Sequence, residues 1–184
     1  ISSINVAFVD IVLSKKGFLY LTEIESAYEL ADNHETAVVQ RKQPAKEVKK
    51  GQEVLVQVVK ESFGTKGPRL SCHIGIAGRY LVLMPLDNQT GVSRRIEDDQ
   101  ERKRLRQILQ ELKLPKEVGF IVRTVACGKN KHELMRDAIF LIKLWKRVEK
   151  IIQRQKAPAL VYEEYDLNLR VIRDSFTEDV SKLI

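Results

Sequence analysis

The first part of the chain alternates apolar and polar positions in short runs, the period of a half-buried strand. Ile4–Ile11 alternates around Asn5 and Asp10, and Gly17–Leu21 is a second apolar run after the Ser14–Lys16 turn. Glu53–Lys60 sets Val54, Val56 and Val58 on one side, with Leu55 and Val59 on the other. Arg69–Ile74 follows a turn rich in Gly, Lys and Pro at Gly64–Pro68. Several short strands joined by turn signals predict a small barrel. Between them, Ala31–Lys50 is polar and charged and reads as a long surface loop or a short helix.

The spacing changes after about Ala77. Tyr80–Met84 is a strand candidate and Pro85–Val92 a turn-rich loop. Leu105, Ile108, Leu109 and Leu112 then predict a helix over Asp99–Leu112. Its acidic start, Glu97, Asp98 and Asp99, suits the positive end of a helix dipole. Leu114-Pro115 ends it, and Val118–Val125 is the next strand candidate. Asn130 with Glu133 three residues on is a capping-box start. From there a long helix to about Gln155 carries Leu134, Ala138, Leu141, Ile142, Trp145, Val148 and Ile152 on one broad face. Pro158 closes it, Ala159–Glu163 is a further strand candidate, and Leu167–Ile184 is a final amphipathic segment. The first part is therefore β and the second α/β, with no internal repeat.

Composition narrows the class. Of 184 residues, 43% are hydrophobic, enough to fill a core, so a disordered or collagen-like chain is excluded. No apolar run approaches the ~18–20 residues of a membrane span. Asn5 and Asp10 break up the first apolar residues, so no signal peptide is expected at this end. The chain opens without Met inside a strand-like run, so further residues are expected upstream. Two cysteines, Cys72 and Cys127, make no disulfide framework, and a reducing compartment is the default. The net charge of +7 is uneven. Residues 1–77 carry 10 basic and 9 acidic side chains, and residues 78–184 carry 22 and 16. A polyanionic partner fits that balance, as does a merely solvated basic helix.

Candidate chemistry is sparse. His34, His73, His132, Cys72 and Cys127 lack zinc-ligand spacing, and Cys72 and His73, neighbours on a strand, point to opposite faces. No nucleophile elbow, P-loop or dinucleotide fingerprint is present. Asp98-Asp99 reads more simply as a helix start than as a carboxylate pair for Mg²⁺. Phe8 and Phe18 lie on successive strand candidates, where they are either core residues or a platform for unpaired bases. From the residues alone, core is the favoured reading. Lys60, ahead of the Gly64–Gly67 turn, and Lys66, within it, could hold phosphates beside the rings. Arg123-Thr124, at a strand end ahead of a helix start, offers a guanidinium fork and a hydroxyl to a phosphate, although alone such a pair is commonplace.

Longer stretches carry a resemblance. FVDI and GFLY (Phe8–Ile11, Gly17–Tyr20), then KKGQEVLVQVVKE and GTKGPRLS within Lys49–Ser71, resemble the S1 RNA-binding domain of the RNase E/G endoribonucleases. AGRYLVLMP (Ala77–Pro85), GVSRRIEDD (Gly91–Asp99) and GFIVRT with GK and EL (Gly119–Leu134) resemble that family's 5′-sensor. APALVYEE and RVIRD (Ala157–Glu164, Arg170–Asp174) are similar to its exit toward an RNase H-like part. The resemblance implies an α+β chain. Residues 1–77 would be a partial OB-type S1 β-barrel lacking its first strand, 78–165 an α/β 5′-sensor subdomain, and 166–184 the start of the RNase H-like region.

The resemblance also implies roles. Phe8 and Phe18 would stack bases, and Lys60 and Lys66 would contact RNA beside them. Gly78, Val82, Arg123 and Thr124 would bind a 5′-monophosphate end. Val12 departs from the family's usual glycine, so the following turn is expected to differ. Nothing matches the family's catalytic DNase I-like domain, whose aspartate pair holds Mg²⁺, or the cysteine link that binds Zn²⁺ between subunits. The chain alone is expected to bind single-stranded, AU-rich RNA without cutting it and without a cofactor of its own. A homo-oligomer is expected for the full-length protein, in bacterial cytoplasm or plastid stroma. Three rivals stand beside this reading: a stand-alone S1/OB module without end sensing or cleavage, a structural remnant retained as an oligomerisation surface, and an active enzyme.

Overall fold

The short alternating runs of the first part do form strands. The computed structural model describes residues 5–25, 49–176, 180 and 182. Most of the Ala31–Lys50 segment, with His34, lies outside them, as does most of the chain after Phe176. Two units emerge, Ile1–Ile74 with Lys146–Val161, and Gly75–Trp145 with Tyr162–Ile184. The chain is α+β, with two four-stranded sheets and four α-helices among the described residues.

In the first unit, strands β1 (Val6–Val9), β2 (Gly17–Tyr20), β3 (Gln57–Lys60) and β4 (Arg69–Ser71) form a sheet in the order β1-β2-β4-β3. β1 pairs antiparallel with β2, β2 parallel with β4, and β3 antiparallel with β4. Period-2 alternation sorts its faces. Leu19 and Leu70 are fully buried and, with Cys72, nucleate a small core that Ala7, Val9, Ile11, Leu21, Val54 and Val56 complete. Burial and then the Glu23 charge push the Cys72 thiol up to about 12, while neighbouring His73 is exposed. The short helix α1 (Leu21–Glu25) supplies Glu23, whose carboxylate accepts from the Ser71 hydroxyl and the Cys72 amide. In the turn after β1 Val12 has φ +66°, and its amide donates to Asp10. A β-branched residue in this left-handed region strains the turn.

In the second unit, β5 (Ile76–Ala77), β6 (Leu81–Met84), β7 (Gly91–Val92) and β8 (Gly119–Val122) are ordered β5-β6-β8-β7. Leu81 and Leu83 of β6 face the same side as Val122 and Phe120 of β8, and all four are buried. Helix α2 (Asp99–Glu111) buries Leu105, Ile108 and Leu109, and the Asp98 carboxylate caps it by accepting from the Gln100 and Glu101 amides. Helix α3 (Lys131–Ile152) opens on a reciprocal box, in which the Asn130 amide donates to Glu133 and the Glu133 amide to Asn130. Its residues Leu134, Ala138, Leu141, Trp145, Val148 and Ile152 are buried. Helix α4 (Leu167–Ser175) is capped by Asp166. Ala159–Glu163 forms no strand. Pro158 follows Ala157, and the segment is largely exposed, without the alternating burial that sheet pairing would give it.

Candidate nucleic-acid interface

Register brings three of the expected RNA contacts into one row. Phe8 of β1 stands opposite Phe18 of β2, Phe18 opposite Arg69 of β4, and Arg69 opposite Lys60 of β3. Directly paired residues share a face, so Phe8, Phe18 and Arg69 cross the sheet side by side, and Lys60 meets Arg69 at a register irregularity between Val58 and Lys60. This face lies opposite Leu19 and Leu70. Phe8 is 74% exposed, Phe18 half-buried and Lys60 exposed, so Phe8 is no core residue. Lys66 lies apart from the row, in the four-residue turn that Phe63 and Lys66 close with two backbone hydrogen bonds of 3.2 and 3.0 Å. Gly64 takes φ +55° there, and Lys15 donates to its carbonyl.

Sequence reasoning missed two members of this face. Tyr20 sits two residues after Phe18, hence on the same side, with their rings edge to face at 6.1 Å. The Arg69 guanidinium lies 5.3 Å over the Tyr20 ring. Tyr20 could have been found from its period-2 relation to Phe18. Arg69 could not, because the parallel β2–β4 pairing joins segments far apart in sequence.

The second cluster surrounds Arg123. It follows β8, and its amide donates to the Tyr80 carbonyl at 2.8 Å. Nη1 donates to the Gly78 and Arg79 carbonyls, and Nη1 and Nη2 grip the Asp174 carboxylate at 2.8 and 2.9 Å. The Arg123 guanidinium, then Arg173, hold the Asp174 carboxyl well below the usual carboxylate range. Arg173 itself reaches the Ala77 carbonyl and Glu164. The 77–81 segment is thus held by its carbonyls from one side. From the other, Asp137 of α3 accepts the amides of Arg79, Tyr80 and Leu81 at 3.1, 2.8 and 2.8 Å. A side chain at Gly78 would place its Cβ 2.6 Å from both Asp137 carboxylate oxygens, so only glycine fits. Thr124, exposed, opens a 3-10 turn beside Arg123. Val82, half-buried, stands opposite Ile121 in β6–β8 register.

Gly78 and Arg123 are therefore in contact, with Thr124 adjacent and Val82 on the neighbouring strand. The Nη1–Nη2 edge of Arg123 is already taken, by a carboxylate that sequence reasoning did not pair with it. Its Nε makes no hydrogen bond to a described residue. Asp137 was missed because a lone acid on a helix carries no signal of the backbone it will meet.

The loop after Thr124 is clamped as well. Glu101 accepts from Arg104 and from the Gly128 amide, and Arg104 donates to the Lys129 carbonyl. The Arg104 hydrogen bonds, then the Gly128 amide, lower the Glu101 carboxyl to about 2. Among the described residues no three His, Cys, Asp or Glu side chains gather as a metal-binding group, and no helix is long and apolar enough to cross a membrane.

Comparison with known proteins shows what the chain is similar to. Ribonuclease G of Haemophilus influenzae is 38% identical over 177 residues, covering 96% of this chain and 36% of that protein. Ribonuclease E of the same organism is 40% identical over 184 residues, covering 99% of this chain and 19% of the relative. Ribonuclease E of Escherichia coli is 38% identical over 183 residues, with 99% and 17% covered. The chain thus spans about a third of the ribonuclease G and about a fifth of the ribonuclease E sequences it matches. The family model of ribonuclease E/G matches residues 75–184, more than half of the chain. The chain belongs to the ribonuclease E/G family.

Proposed function

We propose that this chain is the RNA-binding and 5′-monophosphate-sensing part of an RNase E/G-type endoribonuclease acting on single-stranded, AU-rich RNA in processing and decay. The observation that carries the reading is the Phe8–Phe18–Arg69–Lys60 row, an exposed face of rings and cations over a small apolar core, suited to stacked bases and their phosphates. In this reading residues 1–77 are an S1/OB-type unit, 78–165 the end sensor and 166–184 the start of the RNase H-like region. Phe8 and Phe18 stack bases, and Lys60 and Lys66 neutralise backbone. Arg123 takes the terminal phosphate on its Nε–Nη2 edge, with the Thr124 hydroxyl as a further donor, while Gly78 permits close approach and Val82 meets the base. In this reading the chain's own part is binding. Hydrolysis and the metals belong to the full-length enzyme, a homo-oligomer of bacterial cytoplasm or plastid stroma.

A second reading, an S1-type module without end sensing, is favoured by one observation: Asp174 already occupies an edge of Arg123. Fluorescence anisotropy with one AU-rich RNA bearing either a 5′-monophosphate or a 5′-hydroxyl separates the two. Tighter binding of the monophosphate supports sensing, and equal binding supports the module. No loss of affinity in Phe8→Ala or Phe18→Ala contradicts both.

A further inference from the structure

We propose that Tyr20 and Arg69 complete the RNA-binding face of the first sheet, Arg69 gripping a backbone phosphate of single-stranded RNA while the ring of Tyr20 holds its guanidinium in place. This rests on the RNA-binding reading of that sheet and adds to it the two side chains at its centre.

On β4, Leu70 and Ser71 are buried, and Arg69 points to the face of Phe8 and Phe18. Register sets it between Phe18 and Lys60. Arg69 and Lys60 are like charges directly opposite each other, which repel unless an anion lies between them. No carboxylate among the described residues pairs with Arg69, and its Nε is buried without a hydrogen-bond partner. What Arg69 does have is the Tyr20 ring, 5.3 Å from its guanidinium carbon, a cation–π contact that orients the planar fork without using its N–H donors. Tyr20 is in turn braced edge-on by Phe18. The result is a guanidinium held by a ring instead of a carboxylate, next to a second cation and beside the exposed ring of Phe8 and the half-buried ring of Phe18. A phosphodiester whose neighbouring bases stack on Phe8 and Phe18 satisfies all three features. A free phosphate would satisfy only the cations.

The test uses the 184-residue chain and a 5′-hydroxyl AU-rich RNA, so that end sensing plays no part. Arg69→Gln should weaken binding at least fivefold and reduce the slope of log affinity against log salt by about 0.7, the value for one single-strand phosphate contact. Arg69→Lys should restore the slope but only part of the affinity, since an ammonium keeps the charge and loses the fork. Tyr20→Phe should bind like the parent and Tyr20→Leu several-fold more weakly. Inorganic phosphate at matched ionic strength should not compete, and competition would overturn the RNA assignment in favour of a free-anion site. If Arg69→Gln lowers the thermal midpoint, Arg69→Lys carries the test, and full parental affinity in it overturns the proposal. Phe8→Ala weakening RNA while both Arg69 variants bind normally would sink this inference alone. Indifference of Phe8→Ala as well would sink the RNA-binding reading beneath it.

Discussion

Val12 is a β-branched residue with φ +66°, a conformation that costs L-residues about 1–2 kcal/mol. Val12→Gly should therefore stabilise the chain by about 1 kcal/mol in urea unfolding, less whatever glycine adds to the unfolded chain's freedom. A neutral or destabilising result would mean that the Val12 side chain gains more from its surroundings than its backbone loses. Gly78 works in the opposite direction. Its missing Cβ is the space taken by the Asp137 carboxylate, so Gly78→Ala must displace a group that satisfies three amides. A loss of about 2 kcal/mol or more is expected, comparable to leaving a buried donor unpaired. Glu101 gives a pH signature. Its folded carboxyl is lowered from 4.5 to about 2, so its contribution is present above pH 4.5 and fades as the pH falls toward 2. Glu101→Gln should flatten the acid limb of the stability–pH curve in that window; an unchanged limb would show that the Arg104 and Gly128 contacts do not persist in solution.

At the scale of elements, local rules were legible and long-range pairing was not. Asn130 and Glu133 read as a capping box from their spacing alone, and the two side chains form it at 2.9 and 3.0 Å. Asn130→Ala should cost about 1 kcal/mol, measured by thermal or urea unfolding. Helix α2 begins where its acidic run said it would, since Asp98 caps its own downstream amides. The failures share another cause. Ala159–Glu163 has strand composition without a strand partner. The residues alone favoured core for Phe8 and Phe18 while the family resemblance implied a binding face, and the covered side of the sheet is that of Leu19 and Leu70. Which face of a strand is buried depends on the whole sheet, which a single run of residues does not specify.

For the whole molecule, the class of fold was legible and the contacts between distant segments were not. The α+β class could be read from the change of hydrophobic period along the chain, whereas the grouping of Gly78, Val82, Arg123 and Thr124 came only with the family resemblance. Asp174 could not be matched to Arg123, because an ion pair between residues so far apart leaves no periodic trace. That pair makes the central claim sharp: if Arg123 reads an RNA end, it does so with one edge of its guanidinium committed to Asp174. The most direct measurement is a cycle crossing Arg123→Ala with removal of the RNA's 5′-phosphate, followed by anisotropy. The account predicts that the phosphate strengthens binding to the parent chain about tenfold, ~1.4 kcal/mol, and that Arg123→Ala abolishes this gain while leaving affinity for 5′-hydroxyl RNA nearly unchanged. A phosphate gain that survives in Arg123→Ala, or that is absent from the parent chain, would contradict it.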